Sequence, residues 1–211
     1  MIIQIGQHKI QHGNIMDGID ELMGGMKAEI FYCDPPWGSG NLKYWQTINQ
    51  RDNNLAMKAE IDFNDFLVQL FRIIVKFTKG VSFLEYGQRW KPLIISKAEE
   101  FNLYHYGVEE IVYKAGNKLL PMHLHVMSKG NVDFPANYSE IIHGKSGDMT
   151  ARNAIKPFIK KGGILLDPCC GTGAYAMVAA ESGMIFCGNE INEKRFRKTV
   201  ERLKGGGYNG I

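Results

Sequence analysis

Asp34 closes an apolar run and is followed by two prolines and a tryptophan in the string IFYCDPPWGSG. A carboxylate just past a strand end stands where open α/β sheets place their ligands. The prolines fix φ at successive positions, so the loop loses little entropy when a substrate arrives. This suits activation of an exocyclic amine on a nucleobase. Such a nitrogen is a poor nucleophile because its lone pair is delocalised into the ring, and acceptors that bind its two hydrogens localise that pair. Asp34 and the carbonyl of Pro35 would supply the acceptors, Pro36 would hold the loop, and Trp37 would stack on a base turned out of its helix or strand. The plainer alternative is a structural turn with Trp37 in the core.

A second constellation lies far downstream, in Asp167-Pro168-Cys169-Cys170-Gly171-Thr172-Gly173. Gly171 and Gly173 let the backbone approach a ligand, and the helix that follows aims free N–H groups at it. Glu190, 19 residues after Gly171, ends the next apolar run, where a carboxylate can accept from both hydroxyls of an unphosphorylated ribose. The turn lacks the third glycine of a dinucleotide fingerprint and the lysine of a phosphate-binding loop. An acid, two glycines and a ribose-binding acid instead suit a nucleoside bearing an amino acid, a description that S-adenosylmethionine fits. The competing reading is a tight turn with a solvated glutamate.

The elements that must position these loops read as alternating short strands and helices, which predicts an α/β domain with a largely parallel sheet. Strands are expected at Glu29 to Cys33, Val81 to Tyr86, Glu110 to Tyr113 and His123 to Met127. A helix is expected from Asp62, its N-cap, to a stop at Gly80. GGILLDPCCGTGAYAMVAAESGMIFCGNEIN reads as one βαβ unit. A last helix over Glu193 to Lys204 has Asn192 as cap and Phe196, Val200 and Leu203 on its apolar face, and a flexible tail follows.

Taken together, DPPW followed by DPCCGTG resembles the permuted, β-type family of DNA adenine-N6 and cytosine-N4 amino-methyltransferases, in which the catalytic region precedes the cofactor region. The segment HGNIMDGIDELMGG resembles the stretch that precedes that family's D-P-P-aromatic motif. The resemblance implies a Rossmann-like S-adenosylmethionine-dependent methyltransferase fold with helices on both faces of the sheet. It implies one domain over 1–211: a catalytic half at 1–128, a short loop at 129–148, a cofactor half at 149–211, and no separate large target-recognition domain. It places S-adenosylmethionine against Asp167, Pro168, Cys169, Gly171 and Gly173, with Glu190 on its ribose and Ile191 packed on its adenine. Asn14 and Ile15 would meet the adenine edge, and Asp34 would also face the amino group of the methionine part.

Asp34, Pro35, Pro36 and Trp37 match the family's catalytic tetrad, and the implied reaction is direct in-line transfer of methyl to the target nitrogen. Aspartate in the first position is what that family typically shows in adenine-N6 enzymes, and the resemblance implies N6 of adenine as the target, with DNA, as in restriction-modification or phage DNA modification, taken as the polymer. The alternatives are cytosine-N4 transfer, adenine-N6 transfer on RNA, or a noncatalytic nucleic-acid-binding subunit of the same fold. A nucleotide-binding oxidoreductase is the outside reading.

The 211 residues carry 25 Lys and Arg against 22 Asp and Glu, a surplus that permits a polyanionic partner without demanding one. Lys43, Tyr44, Trp45 and Arg51, in an expected loop after the tetrad, mix cations and rings as phosphates and unstacked bases require. Arg195, Arg197, Lys198, Arg202 and Lys204 read as a solvated helical face. The four cysteines form no C-x-x-C pair, so no metal site is expected and a reducing, cytoplasmic setting is. No apolar run is long enough for a membrane span. The small size raises a homodimer or an auxiliary specificity subunit.

Overall fold

The computed structural model describes residues 1–53 and 61–205. Among these described residues eight strands form one sheet: β1 (Ile2–Ile5), β2 (His8–His12), β3 (Ala28–Cys33), β4 (Thr78–Gly87), β5 (Tyr104–Ala115), β6 (Lys118–Ser128), β7 (Ile164–Asp167) and β8 (Ile185–Glu190). Their spatial order is β1-β2-β8-β7-β3-β4-β6-β5. The five strands from β2 to β4 are parallel, and β1, β6 and β5 pair antiparallel at the two edges.

Strand side chains alternate between two cores, as a sheet covered on both faces requires. Ile30, Tyr32, Leu165 and Phe186 face one core, with α5 (Tyr138–Ile142), α6 (Asp148–Ile155), α7 (Ala174–Glu181) and α8 (Glu193–Gly205) contributing to it. Phe31, Cys33, Leu166 and Cys187 face the other, covered by α1 (Asp20–Met23), α3 (Phe63–Phe77) and α4 (Lys91–Glu100). In α3, Phe66, Leu67, Leu70, Phe71 and Ile74 are buried at helical spacing, each side chain contributing about 2 kcal/mol. The Asp62 carboxylate caps that helix by accepting from the Asn64 and Asp65 amides at 2.8 and 3.2 Å.

Several sequence expectations change. Gly80 does not stop α3, which gives way to extended backbone at Thr78. It lies inside β4, where a Cβ would come within 2.0 Å of the Glu29 carbonyl oxygen, so the position serves close strand contact. The stretch after the tetrad is a helix, α2 (Gly38–Asn53), and not a loop. The N-terminal hairpin of β1 and β2 was not foreseen, because among its alternating residues only Ile10 is fully buried. Residues 129–148 contain α5 and fold onto the body, with Phe134 against Tyr138 and Phe158 at 5.0 and 5.4 Å between ring centroids. The tail expected after Gly205 lies outside the described residues. Among the described residues no helix is long and apolar enough to cross a membrane.

Candidate active site

β7 lies between β8 and β3, and the chain leaves it toward β8 while leaving β3 toward β4. Consecutive parallel strands that diverge in this way leave a crevice at their C-terminal ends. Both loops singled out in the sequence open there. A cavity of about 370 Å³ is lined by Asn14, Ile15, Asp34 to Trp37, Trp45, Asp167 to Thr172, Tyr175, Glu190, Ile191 and Arg195, among others. Its size lies within the range of small-molecule sites.

Asp34 stands half-buried at the tip of β3, and burial pushes its carboxyl up to about 6. Trp37 opposes that rise by donating Nε1–H to Asp34 Oδ1 at 2.9 Å. The Trp37 backbone amide donates to Asn41 Oδ1 at 2.9 Å, Tyr86 donates its hydroxyl to the Pro36 carbonyl at 3.3 Å, and Tyr113 meets the indole edge-on at 5.4 Å. The tetrad is therefore a braced loop.

Asp167 is buried, and desolvation pushes its carboxyl up to about 8 against the hydrogen bond it accepts from the Cys169 amide at 3.0 Å. Glu190 organises the glycine turn: Oε2 accepts from the Gly171 amide and Oε1 from the Asn192 amide, each at 2.8 Å. Burial raises its carboxyl as well. Gly173 has φ of 81° and caps α7, and a Cβ there would lie 2.8 Å from Thr199. It does not line the cavity; it lets α8 close against the turn, where the Thr199 hydroxyl donates to the Gly171 carbonyl at 3.0 Å. Asn14 caps a single 3₁₀ turn by accepting from the Met16 amide and leaves Ile15 against the cleft. Cys33 is buried against Cys169, and burial raises its thiol well above the ordinary value, so it is a protonated packing group and not a nucleophile.

Of the four residues offered for nucleic acid, only Trp45 lines the cavity. Tyr44 is exposed, and Arg51 pairs with Asp52 at 3.2 Å. Arg195, read as part of a solvated face, instead lies over the Trp45 ring at 3.9 Å and joins the lining. Asn192, which caps α8 through Arg195, also donates to Asn49 and Asp52, so α2 is tied across the cleft to α8. Among the described residues no group of three or more His, Cys, Asp and Glu could hold a metal ion.

Sequence reading missed Glu85. This buried β4 carboxyl accepts from the hydroxyls of Tyr32 at 2.6 Å and Tyr175 at 2.9 Å, and burial together with the charge of Asp34 pushes it up to about 8. Its partners come from β3 and α7, so no local spacing marks it; the one signal is an acid inside the apolar run VSFLEY.

No family model matches the sequence, and no curated protein matches it. Solved structures do. M1.HpyAVI superposes with a TM-score of 0.65 at 16% identity over 92% of this chain and 97% of that one. A DNA modification methylase from Thermus thermophilus gives 0.66 at 15% identity over 96% and 97%. The cytosine-N4-specific PvuII DNA methyltransferase gives 0.62 at 11% identity over 97% and 88%. The chain has the fold of these DNA methyltransferases.

Proposed function

We propose that this protein is an S-adenosylmethionine-dependent DNA methyltransferase that acts on the exocyclic N6 of adenine in a flipped-out base. The observation that carries the reading is the shared cleft: two loops more than a hundred residues apart in sequence line one cavity. Structures of M1.HpyAVI and of the Thermus protein are complexes with this cofactor, and the order of the two loops along the chain fits the permuted arrangement.

The donor set fits the group. Asp34, Asp167 and Glu190 bring three carboxyls to the cavity, and Arg195 is the one Lys or Arg among the described lining residues. Burial has raised all three, which is the electrostatic condition that a ligand carrying ammonium and sulfonium charges relieves. A pyrophosphate would meet the same acids unfavourably, so the cleft disfavours a dinucleotide. When bound, S-adenosylmethionine supplies an electrophilic methyl group. Glu190 would hold the ribose, Asp167 and the Pro168 to Gly171 backbone the amino-acid part, and Asn14, Ile15 and Ile191 the adenine.

Asp34 and the Pro35 carbonyl would accept the two hydrogens of the target amine, fixing it and localising its lone pair. Trp37 holds the Asp34 carboxylate in one orientation while its ring faces the cleft beside Tyr113. A carboxyl poised at about 6 can also take up the proton that the amine gives up. Positioning and electrostatics carry the rate, with no covalent intermediate.

The second reading is cytosine-N4 transfer, favoured by the likeness to a cytosine-N4-specific enzyme. Incubation with methyl-labelled S-adenosylmethionine and either DNA or RNA, followed by nucleoside mass spectrometry, decides among these. Label in N6-methyladenine from DNA is expected. Label in N4-methylcytosine, or in RNA alone, selects the corresponding alternative, and absence of label with no cofactor binding overturns the reading.

A further inference from the structure

The hairpin of β5 and β6 overhangs the cleft. β4 pairs with β6 only from Met122 to Ser128, and backbone bonds from residues 144 and 145 reach the outer edge of β5 only at Glu110 and Val112. Beyond those points Tyr113 to Leu120 form a two-stranded arm, in the register Tyr113 with Leu120, Lys114 with Leu119 and Ala115 with Lys118. An arm of this kind gains little stability from its own pairing in water.

Its surface is unusual for an unpaired ribbon. Leu119 is 65% exposed and Leu120 44%. Lys114 and Lys118 flank them, and the stretch YKAGNKLLP holds no acid. Tyr113 and Leu120 continue the sheet face whose next pair, Ile111 and Met122, is buried in the core. Tyr113 lines the cleft and contacts Trp37. Through Tyr113, Leu120 is thus continuous with the site that would receive a base, while Leu119 shares the opposite face with Lys114.

In residues 129–148 the two aromatic rings, Phe134 and Tyr138, are packed on the core, and Tyr138 donates to the Ala154 carbonyl at 2.9 Å. A two-stranded ribbon fits the DNA major groove. Extruding a base leaves a gap in the stack, which enzymes and architectural proteins fill with apolar side chains.

Building on the function proposed above, we infer that the hairpin tip is the element that engages duplex DNA. Leu120, on the face of the ribbon that carries Tyr113, wedges the stack opened by the departing base, Leu119 on the opposite face packs against the groove wall, and Lys114 and Lys118 lie against the flanking phosphates.

The test compares the full-length protein with the L119S/L120S and K114Q/K118Q variants on native and on heat-denatured genomic DNA, using labelled cofactor. All four positions are exposed, so folding is expected to survive, and circular dichroism checks it. L119S/L120S should lose about tenfold or more in kcat/KM on native duplex and stay within about twofold on denatured DNA, where no stack needs opening. K114Q/K118Q should flatten the dependence of log binding constant on log salt by about two units. Equal activity of L119S/L120S and the parent on native duplex overturns the inference, as does a parent that methylates RNA and not duplex DNA. Loss of a parental dimer in L119S/L120S with DNA transfer intact assigns the tip to a second copy and overturns it too. A parent that transfers methyl to no polymer contradicts the function proposed for the cleft, a different outcome from any of these.

Discussion

The indole N–H of Trp37 is bound to the carboxylate of Asp34, Nε1 to Oδ1 at 2.9 Å. One aromatic residue thereby orients the acid three positions before it and offsets part of the rise that burial imposes on its carboxyl. The bond engages a single carboxylate oxygen, and the braced loop turns the group toward the cavity shared with the glycine turn.

Replacing Trp37 by Phe keeps a ring in the cleft and removes the donor. Because that hydrogen bond favours the ionised form, its loss should carry the Asp34 carboxyl still higher than about 6. The acid limb of the kcat/KM profile should then move to higher pH, with activity recovering toward the parent on the alkaline side. An acid limb that stays where it was would show that Trp37 does not tune Asp34.

Glu190 holds two backbone amides of the turn that would bind the cofactor. Glu190→Ala removes both acceptors along with the proposed ribose partner. Hydrogen bonds to a charged group are worth about 1.5–3 kcal/mol, so cofactor affinity measured by calorimetry should fall about tenfold or more. Unchanged affinity would separate Glu190 from the cofactor.

At Gly173 any side chain faces both a left-handed backbone and the Thr199 side chain at 2.8 Å. Gly173→Ala should cost about 1–3 kcal/mol in urea unfolding and loosen the turn that Thr199 supports. A variant as stable as the parent would mean that α8 yields freely at this contact.

Glu85 and Asp167 are raised to about 8 from ordinary values of 4.5 and 3.8. Between those limits the folded protein holds more protons than the unfolded chain, so stability falls as pH rises from about 4 through 8. Glu85→Gln stays neutral throughout. Its urea midpoint should gain on the parent as pH rises over that window, and the two should converge in acid. Parallel pH profiles would contradict the burial of a protonated Glu85.

The part of the fold legible in sequence is the part with local signals. The βαβ unit announces itself through ILLD, the glycine turn and IFCGNE, and Asp62 and Asn192 cap their helices as their positions suggest. α2 was hidden because its buried stripe includes Gln46 and Asn49, polar residues whose burial is licensed by partners on other elements. β2 depends on pairing with β8, over 170 residues away, and β1 is held through β2. The cleft residues Asp34 and Asp167 were legible from chemistry and spacing. Glu85 and Arg195 were not, because their partners are assembled only when β3, β4, α2, α7 and α8 come together.

The most direct test of the account measures methyl transfer and cofactor affinity on the same preparation of Asp34→Asn. The substitution keeps the shape of the side chain and removes the charge that would grip the amine. Transfer to DNA should fall by about a hundredfold or more, while the affinity for S-adenosylmethionine stays measurable. Transfer at the parental rate would contradict the assignment of Asp34 and, with it, the chemistry proposed for the cleft.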